Sequence, residues 1–144
     1  MRISEMDLQI EDIMWFATDI KGNIFECTSA GCGNVPEYIC KSREETDKLL
    51  DYFMNQASVI TKTKLLIPAK DNDLVNDAIS LSSKGLFCFD ITDYNNTDKY
   101  NCISLPERAL NISDLPEDIR QIMSDHIYNG DVSKERSITV NHAY

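Results

Sequence analysis

The chain has 144 residues, of which 42% are hydrophobic and 26% are charged, and its formal net charge is −10. This length and balance are typical of one globular domain with a hydrophobic core, and they exclude a fibrous or disordered chain. A surface with this much negative charge repels nucleic acid and anionic lipid, so we expect neither nucleic acid nor a membrane as a partner.

The opening stretch MRISEMDLQIED carries four acidic residues and lacks the apolar segment of a secretory signal. No apolar run approaches the roughly 20 residues that cross a bilayer. We therefore expect a cytoplasmic protein. Its five cysteines cannot all pair within one chain, and in a reducing compartment they are expected to be free and mostly buried.

The first predicted elements form a β-hairpin. Ile13–Thr18 and Asn23–Thr28 are rich in the β-branched and aromatic residues that favour strands. Between them, Asp19 can bond its own backbone and Gly22 can adopt the positive φ of a bulged turn. Large side chains alternate on both sides of the first strand, so we expect both faces of the sheet to be covered.

Three helices are predicted further along the chain. The first begins with Ser42 and Glu45, which are spaced to form a reciprocal capping box. The second occupies Asp73–Gly85 and ends at its glycine. The third occupies Ser113–Gly130, with Asp114 expected to cap its start and the glycine to close its end.

Short β-prone runs predict further strands at 63–68, 86–91, 100–105 and, at the end of the chain, within 137–144. Strands and helices follow one another without a regular βαβ order, which favours the α+β class over α/β. We therefore expect residues 1–144 to form a single α+β domain, with a mainly antiparallel sheet of hairpins and about three helices packed on it.

The glycine-containing stretch CTSAGCGNVPEY, residues 27–38, invites a chemical interpretation. A phosphate-binding loop requires a helix and a lysine directly after its glycines, and neither is present. Cys27, Cys32 and Cys40 lack the close pairs that are typical of structural zinc ligands. We interpret the stretch as a sharply turning loop and predict neither a cofactor nor a metal there.

A reactive thiol is the other chemical interpretation of this loop. A cysteine nucleophile needs a base, and the chain has only two histidines. His126 is expected at the surface or the boundary of the third helix, and His142 lies near the end of the chain. Two alternatives remain open for the Cys27–Cys40 loop: a small-molecule or metal-binding site, and chemical modification of an exposed thiol. The residues that would form this ligand-binding or reactive loop are Gly31, Cys32 and Gly33.

The most uneven charge distribution lies between residues 71 and 98, where the chain has six acidic residues and a single lysine. Such a stretch serves either solubility or the steering of a basic partner. An EF-hand interpretation fails because the central glycine and the distant glutamate are missing. The candidate partner-binding residues are therefore Asp71, Asp73, Asp77, Asp90, Asp93 and Asp98.

Two segments carry a resemblance to a known type of protein. The hairpin WFATDIKGNIFE, the loop SAGCGNVPEYI and the capped helix after it, together with KGLFCFDI and ISLPERALNISDLPEDI, cover most of the chain. They resemble small uncharacterised bacterial proteins found as immunity proteins beside polymorphic toxins. The resemblance implies no shared active site, and it implies an acidic face that engages a basic toxin.

Three functions follow from these patterns as hypotheses. The first is a non-enzymatic, acidic interaction protein, an immunity or regulatory protein that binds a basic protein partner. The alternative is a small-molecule or metal-binding protein that uses the Cys27–Cys40 loop. The third is a homodimer in which an edge strand pairs across a two-fold axis. No catalytic residue is predicted.

Overall fold

The hairpin predicted from the sequence begins a six-stranded sheet. The computed structural model describes all residues from 1 to 144. The strands are β1 (Met14–Thr18), β2 (Ile24–Thr28), β3 (Thr63–Leu65), β4 (Phe87–Asp90), β5 (Lys99–Pro106) and β6 (Ser137–Thr139). Their order is β1-β2-β4-β5-β3, and β6 also pairs with β5.

Five α-helices accompany the sheet: α1 (Glu5–Ile10), α2 (Glu37–Cys40), α3 (Arg43–Asp51), α4 (Asp73–Ser83) and α5 (Glu117–Met123). A π-helical turn, Tyr52–Gln56, follows α3, and a 3₁₀ turn, Ile112–Asp114, precedes α5. None of the helices is long and apolar enough to cross a membrane.

The expected fold class is confirmed. Every strand pairing is antiparallel except that between β2 and β4, which is parallel. The parallel pair requires a long crossover, and α2, α3, β3 and α4 all lie within it. The sheet is therefore mainly antiparallel, with helices packed on it, as α+β predicts.

The hairpin turn forms as its residues require. Asp19 Oδ1 accepts hydrogen bonds from the backbone N–H groups of Lys21 and Asn23, both at 2.9 Å. Gly22 has φ +82°, a conformation that side chains with a Cβ rarely adopt. The local sequence thus sets the geometry that brings β1 and β2 into register.

Both faces of the sheet are buried, as the alternation in β1 predicts. Trp15 and Ala17 belong to one hydrophobic cluster, and Phe16 belongs to another on the opposite face. The N-terminal segment, α2 and the C-terminal segment cover the Trp15 face. The Phe16 face is covered by α3, the π-helical turn, α4 and α5, through Leu49, Phe53, Ala78, Leu81, Ile119 and Met123.

Only half of the capping box at Ser42 forms. The Ser42 hydroxyl accepts a hydrogen bond from the Glu45 N–H at 3.2 Å. The Glu45 carboxylate does not return to the cap, and its Oε2 lies 4.0 Å from His126 Nε2. The Glu45 side chain therefore lies toward His126 and not toward the cap, and its Oε2 has no hydrogen-bond partner.

The prediction for the third helix was wrong at both ends. Asp114 accepts a hydrogen bond from the Asn111 N–H and thereby caps the 3₁₀ turn, so α5 starts only at Glu117. The helix ends at Met123 because the chain then turns to pair with the end of β1: Thr18 exchanges backbone hydrogen bonds with His126 and Tyr128, each at 2.8 Å.

Candidate functional site: an acidic pocket at the end of the sheet

The topology collects acidic side chains at one edge of the sheet. Because β2 and β4 are parallel, their carboxyl ends meet at the same edge, with Glu26 opposite Cys88 and Thr28 opposite Asp90. Alternate residues of a strand share a face, so all four side chains lie on the face that α4 covers. A short turn at Gly85 connects α4 to β4, and the first turns of α4 lie at that edge as well, close to Glu26 and Thr28.

These elements enclose a cavity of about 120 Å³, which we call the acidic pocket. It has two kinds of wall, and no lysine, arginine or histidine lines it. Its carboxyl groups come from the segment before β1, from β2 and from α4. The other residues that line it are mostly hydrophobic. The residues are Asp12, Glu26, Asp73 and Asp77, with Thr28, and on the apolar side Met14, Leu74, Ala78 and Ile103.

Glu26 is the most deeply buried carboxyl of the pocket, with 2% of the residue exposed. Its Oε1 accepts a hydrogen bond from Thr28 Oγ1 at 2.5 Å, and the Cys88 thiol of the neighbouring strand lies beside the same carboxyl group. Burial raises the pKa of Glu26 to about 8; Thr28 and Cys88 oppose the rise, and Asp90 and Asp12 add to it. The carboxyl is therefore mostly protonated at neutral pH.

Asp90 lies on the same face of the sheet as Glu26 and is 8% exposed. Its Oδ1 is buried and has no hydrogen-bond partner. Burial raises the pKa of Asp90 to about 6, against the opposing effect of the Ile91 N–H, and Asp12 raises it further. A buried, unpaired oxygen of this kind is uncommon in a folded protein and calls for a ligand or a protonated state.

The two acids of α4 lie in its first turns. The Asn72 side chain accepts a hydrogen bond from the Val75 N–H at 2.9 Å and so fixes the start of the helix. Burial raises the pKa of Asp77, and the charge of Asp73 adds to that rise. On the opposite wall, Asp12 Oδ1 accepts a hydrogen bond from the Ala30 N–H at 2.8 Å. The pocket therefore holds acids on separately fixed elements.

The six acids proposed from the sequence do not form one surface. Asp73 and Asp77 line the acidic pocket, and Asp90 lies beside Glu26. The other three are exposed and lie outside the pocket lining: Asp71, Asp93 and Asp98.

Sequence reasoning missed Asp12 and Glu26. A signal for Glu26 was available, because it is the one acid within the apolar strand run NIFECT, where burial of a carboxyl is costly. Asp12 had no such signal, since it lies in an acidic segment that reads as solvated surface. Its place in the pocket depends on the pairing of the strands that follow.

The Cys27–Cys40 loop turns sharply, as expected. Ala30 and Gly31 have φ values of +55° and +72°. Cys27 and Cys40 are buried in the hydrophobic cluster, and Cys32 is exposed. No group of three or more His, Cys, Asp or Glu side chains is placed to hold a metal ion.

Cys32 lines a shallow cavity of about 200 Å³ together with Gly31, Gly33 and His142. No hydrogen bond joins the thiol to the imidazole; the Sγ atom lies 3.8 Å from the Ser29 carbonyl oxygen. Partial burial and the charges of Asp90 and Asp12 raise the pKa of Cys32. An activated nucleophile requires the opposite shift.

The other histidine is inside the protein and beyond the end of α5, so its expected position at the surface or boundary of that helix was wrong. His126 is fully buried; its Nδ1 lies 3.1 Å from the Phe16 carbonyl oxygen and its Nε2 has no hydrogen-bond partner. Burial lowers the pKa of His126, and the nearby Glu45 opposes that shift. The imidazole lies between Glu45 of α3 and the Phe16 carbonyl of β1.

We expect Cys32 to react slowly despite its exposure. Because its pKa is raised, alkylation by iodoacetamide should be slow at pH 7 and should keep accelerating above pH 9. Mass spectrometry should find one modified thiol in the folded protein and five after unfolding, and Cys32→Ser should abolish the labelling of the folded chain. A rate that reaches a plateau near neutral pH would contradict the protonated thiol.

Comparisons with known proteins found no matching family model, no matching curated protein and no matching solved structure.

Proposed function

We propose that the protein is a non-enzymatic, acidic interaction protein that binds a basic protein partner through the acidic pocket. The observation that carries the proposal is the composition of the pocket: four carboxyl groups from three parts of the chain and no cation among the lining residues. A partner that supplies the missing positive charge satisfies these groups, whereas an anionic partner is repelled.

The apolar wall narrows the choice of cation. Lysine and arginine carry their charge at the end of a methylene chain, which prefers contact with apolar surface. Met14, Leu74 and Ile103 provide such a surface beside the carboxyl groups of the pocket. A long basic side chain of a protein is therefore a better occupant than a small inorganic cation, for which no ligand set is present.

The net charge of the chain supports the same proposal. At −10, the protein attracts a basic partner over a distance of about 8–10 Å at physiological salt and accelerates its association. A bacterial immunity protein that neutralises a basic toxin has these requirements, and so does a regulatory protein with a basic target. In this proposal, the exposed Asp93 and Asp98 attract the basic partner from a distance, and the acidic pocket binds it.

The proposal is tested by a pair of matched double variants. Asp73→Asn with Asp77→Asn removes two charges from the pocket, and Asp93→Asn with Asp98→Asn removes two exposed charges outside it. The probe is a fluorescent, lysine- and arginine-containing peptide, and its Kd is measured by anisotropy at low and at physiological salt. We expect the pocket variant to weaken binding about tenfold and the control about twofold or less.

Equal effects of the two double variants would contradict the proposal, because they would show that only net charge matters. The same conclusion would follow if the probe bound with no dependence on salt.

A further inference from the structure

We propose that the outer edge of β3 is an interaction surface that accepts an extended segment of a partner protein as an additional strand, and that this segment alternates apolar and acidic residues. The surface is separate from the acidic pocket, whose lining contains no residue of β3. The inference therefore goes beyond the proposed function and does not depend on it.

The outer strands of the sheet are not equally accessible. At the edge of β1, the Phe16 carbonyl oxygen lies 3.1 Å from His126 Nδ1, and Thr18 exchanges backbone hydrogen bonds with the same segment. At the outer edge of β6, Thr139 lines a shallow cavity together with the segment 127–129. The main contacts of β3 are with β5 and α4, which leaves its outer edge free.

Hydrogen bonds show which residues of β3 face outward. The Lys62 carbonyl oxygen and the Leu66 N–H both form backbone hydrogen bonds toward β5, at 2.9 and 2.8 Å. Paired residues alternate along an antiparallel ladder, so Lys64 also directs its backbone groups to β5. The N–H and C=O groups of Thr63 and Leu65 point away from the sheet, and no other part of the chain bonds them. These are the groups that a further strand requires.

The side chains beside this edge differ on the two faces of the sheet. Thr63 and Leu65 share the face that α4 covers, and Thr63 Oγ1 donates a hydrogen bond to the Ile79 carbonyl oxygen at 3.1 Å. The Ile79 side chain is 39% exposed, so it offers apolar surface next to the edge. Lys62 and Lys64 lie on the opposite face and are exposed.

The charge beside the edge selects the occupant. Residues 57–70 contain three lysines and no acidic residue, and neither Lys62 nor Lys64 forms an ion pair within the chain. Glu107 is bonded through its backbone to Lys62, whereas Lys64 has no acidic residue opposite it. An added strand places every second side chain on the lysine face, where an acidic residue is favoured. Its other side chains lie on the α4 face, where apolar residues are favoured.

The same charges disfavour a second copy of this chain as the occupant. If β3 paired with β3 of another copy, the lysines of both strands would share one face, because outward-facing residues pair with outward-facing residues. Like charges opposite one another destabilise a sheet, and lysine on an edge strand is a common protection against such pairing. An acidic segment converts the same lysines into attractive contacts.

The experiment uses three acetylated and amidated peptides on the isotope-labelled full chain at physiological salt. The first is Ser-Val-Glu-Val-Glu-Val-Ser, the second has lysine in place of both glutamates, and the third is the first with N-methylated valines, which lack the N–H donors. NMR titration gives the Kd values and locates binding through the amide signals of Thr63 and Leu65. We expect the glutamate peptide to bind about fivefold tighter or more than the other two.

A charge-reversal variant shows whether the lysine face determines this order. The net charge of −10 by itself favours the lysine peptide, so the expected order requires the local lysines. Lys64→Glu should abolish the preference for the glutamate peptide. Lys134→Glu makes the same change in net charge at an exposed residue outside β3 and should preserve the preference.

Several outcomes would overturn the inference. A lysine peptide that binds the edge as tightly as the glutamate peptide is one, and a preference that survives in Lys64→Glu is another. Absence of binding by the glutamate peptide, or shifts confined to residues outside β3, has the same consequence. Shifts of the Thr63 and Leu65 signals that grow with protein concentration alone also contradict it, because a second copy then occupies the edge.

Discussion

Replacing Glu26 by glutamine is expected to stabilise the protein at and above neutral pH, by about 2–4 kcal/mol at pH 8. The pKa of Glu26 is about 8 in the folded protein, against an ordinary value of 4.5. Between these two values the folded chain holds a proton that the unfolded chain has lost. The free energy of unfolding therefore falls as pH rises through this window, by at most about 1.4 kcal/mol per pH unit.

Glutamine keeps the shape of the side chain and cannot ionise, so this loss of stability disappears. Below pH 4.5 Glu26 is protonated in both the folded and the unfolded chain. Its replacement by glutamine then removes no charge, so the variant should gain no stability from it there. Asp90 weakens the folded state in the same direction between its ordinary value of 3.8 and about 6, and this contribution remains in the variant.

The measurement is urea unfolding of both proteins between pH 5 and pH 9. The exposed Glu107 provides the control, because Glu107→Gln makes the same chemical change away from the acidic pocket. We expect the free energy of unfolding of Glu26→Gln to depend less on pH than that of the other two proteins. Parallel curves for all three would show that Glu26 ionises freely in the folded chain.

Gly85→Ala is expected to destabilise the protein by about 2–5 kcal/mol, the sum of a strained backbone and a steric conflict. Gly85 has φ +97°, which a residue with a Cβ rarely adopts. A Cβ at this position would lie 2.5 Å from the Leu110 backbone nitrogen, and that N–H also donates a hydrogen bond to the Gly85 carbonyl oxygen at 3.0 Å. The backbone around Leu110 cannot move aside without breaking this hydrogen bond.

Gly31→Ala separates the two contributions. Gly31 has φ +72°, yet a Cβ there would meet nothing closer than 3.9 Å. The free energy of unfolding of this control should therefore fall only because of the strained backbone conformation, by about 1–2 kcal/mol. Thermal or urea unfolding of both variants gives the comparison, and similar losses would show that the Leu110 segment moves aside. Because Gly85 joins α4 to β4, its loss should also disturb the acidic pocket.

The local elements were largely predictable because neighbouring residues determine them. Asp19 and Gly22 make the hairpin turn with their own side-chain and backbone preferences, and Gly85 ends α4 as the sequence indicates. The third helix was predicted too long because residues after Met123 leave the helix to pair with β1. Helical periodicity in the sequence does not indicate that a strand elsewhere in the chain competes for these backbone groups.

The candidate site was predictable only in part. The sequence indicated Asp73, Asp77 and Asp90 because they belong to an acidic stretch, and the structure places them in or beside the acidic pocket. It equally indicated Asp93 and Asp98, which are exposed outside it. Acidic composition says where charge accumulates along the chain, and it does not say which carboxyls face one another.

By itself, the sequence determined the α+β class, the hairpin, the start of α3 and the end of α4, since short-range sterics and hydrogen bonds decide such features. Only the tertiary structure decided that β2 pairs in parallel with β4 and thereby buries Glu26 beside Asp90. The physical reason is that desolvation and charge repulsion depend on distances between residues far apart in the chain, and strand pairing sets those distances.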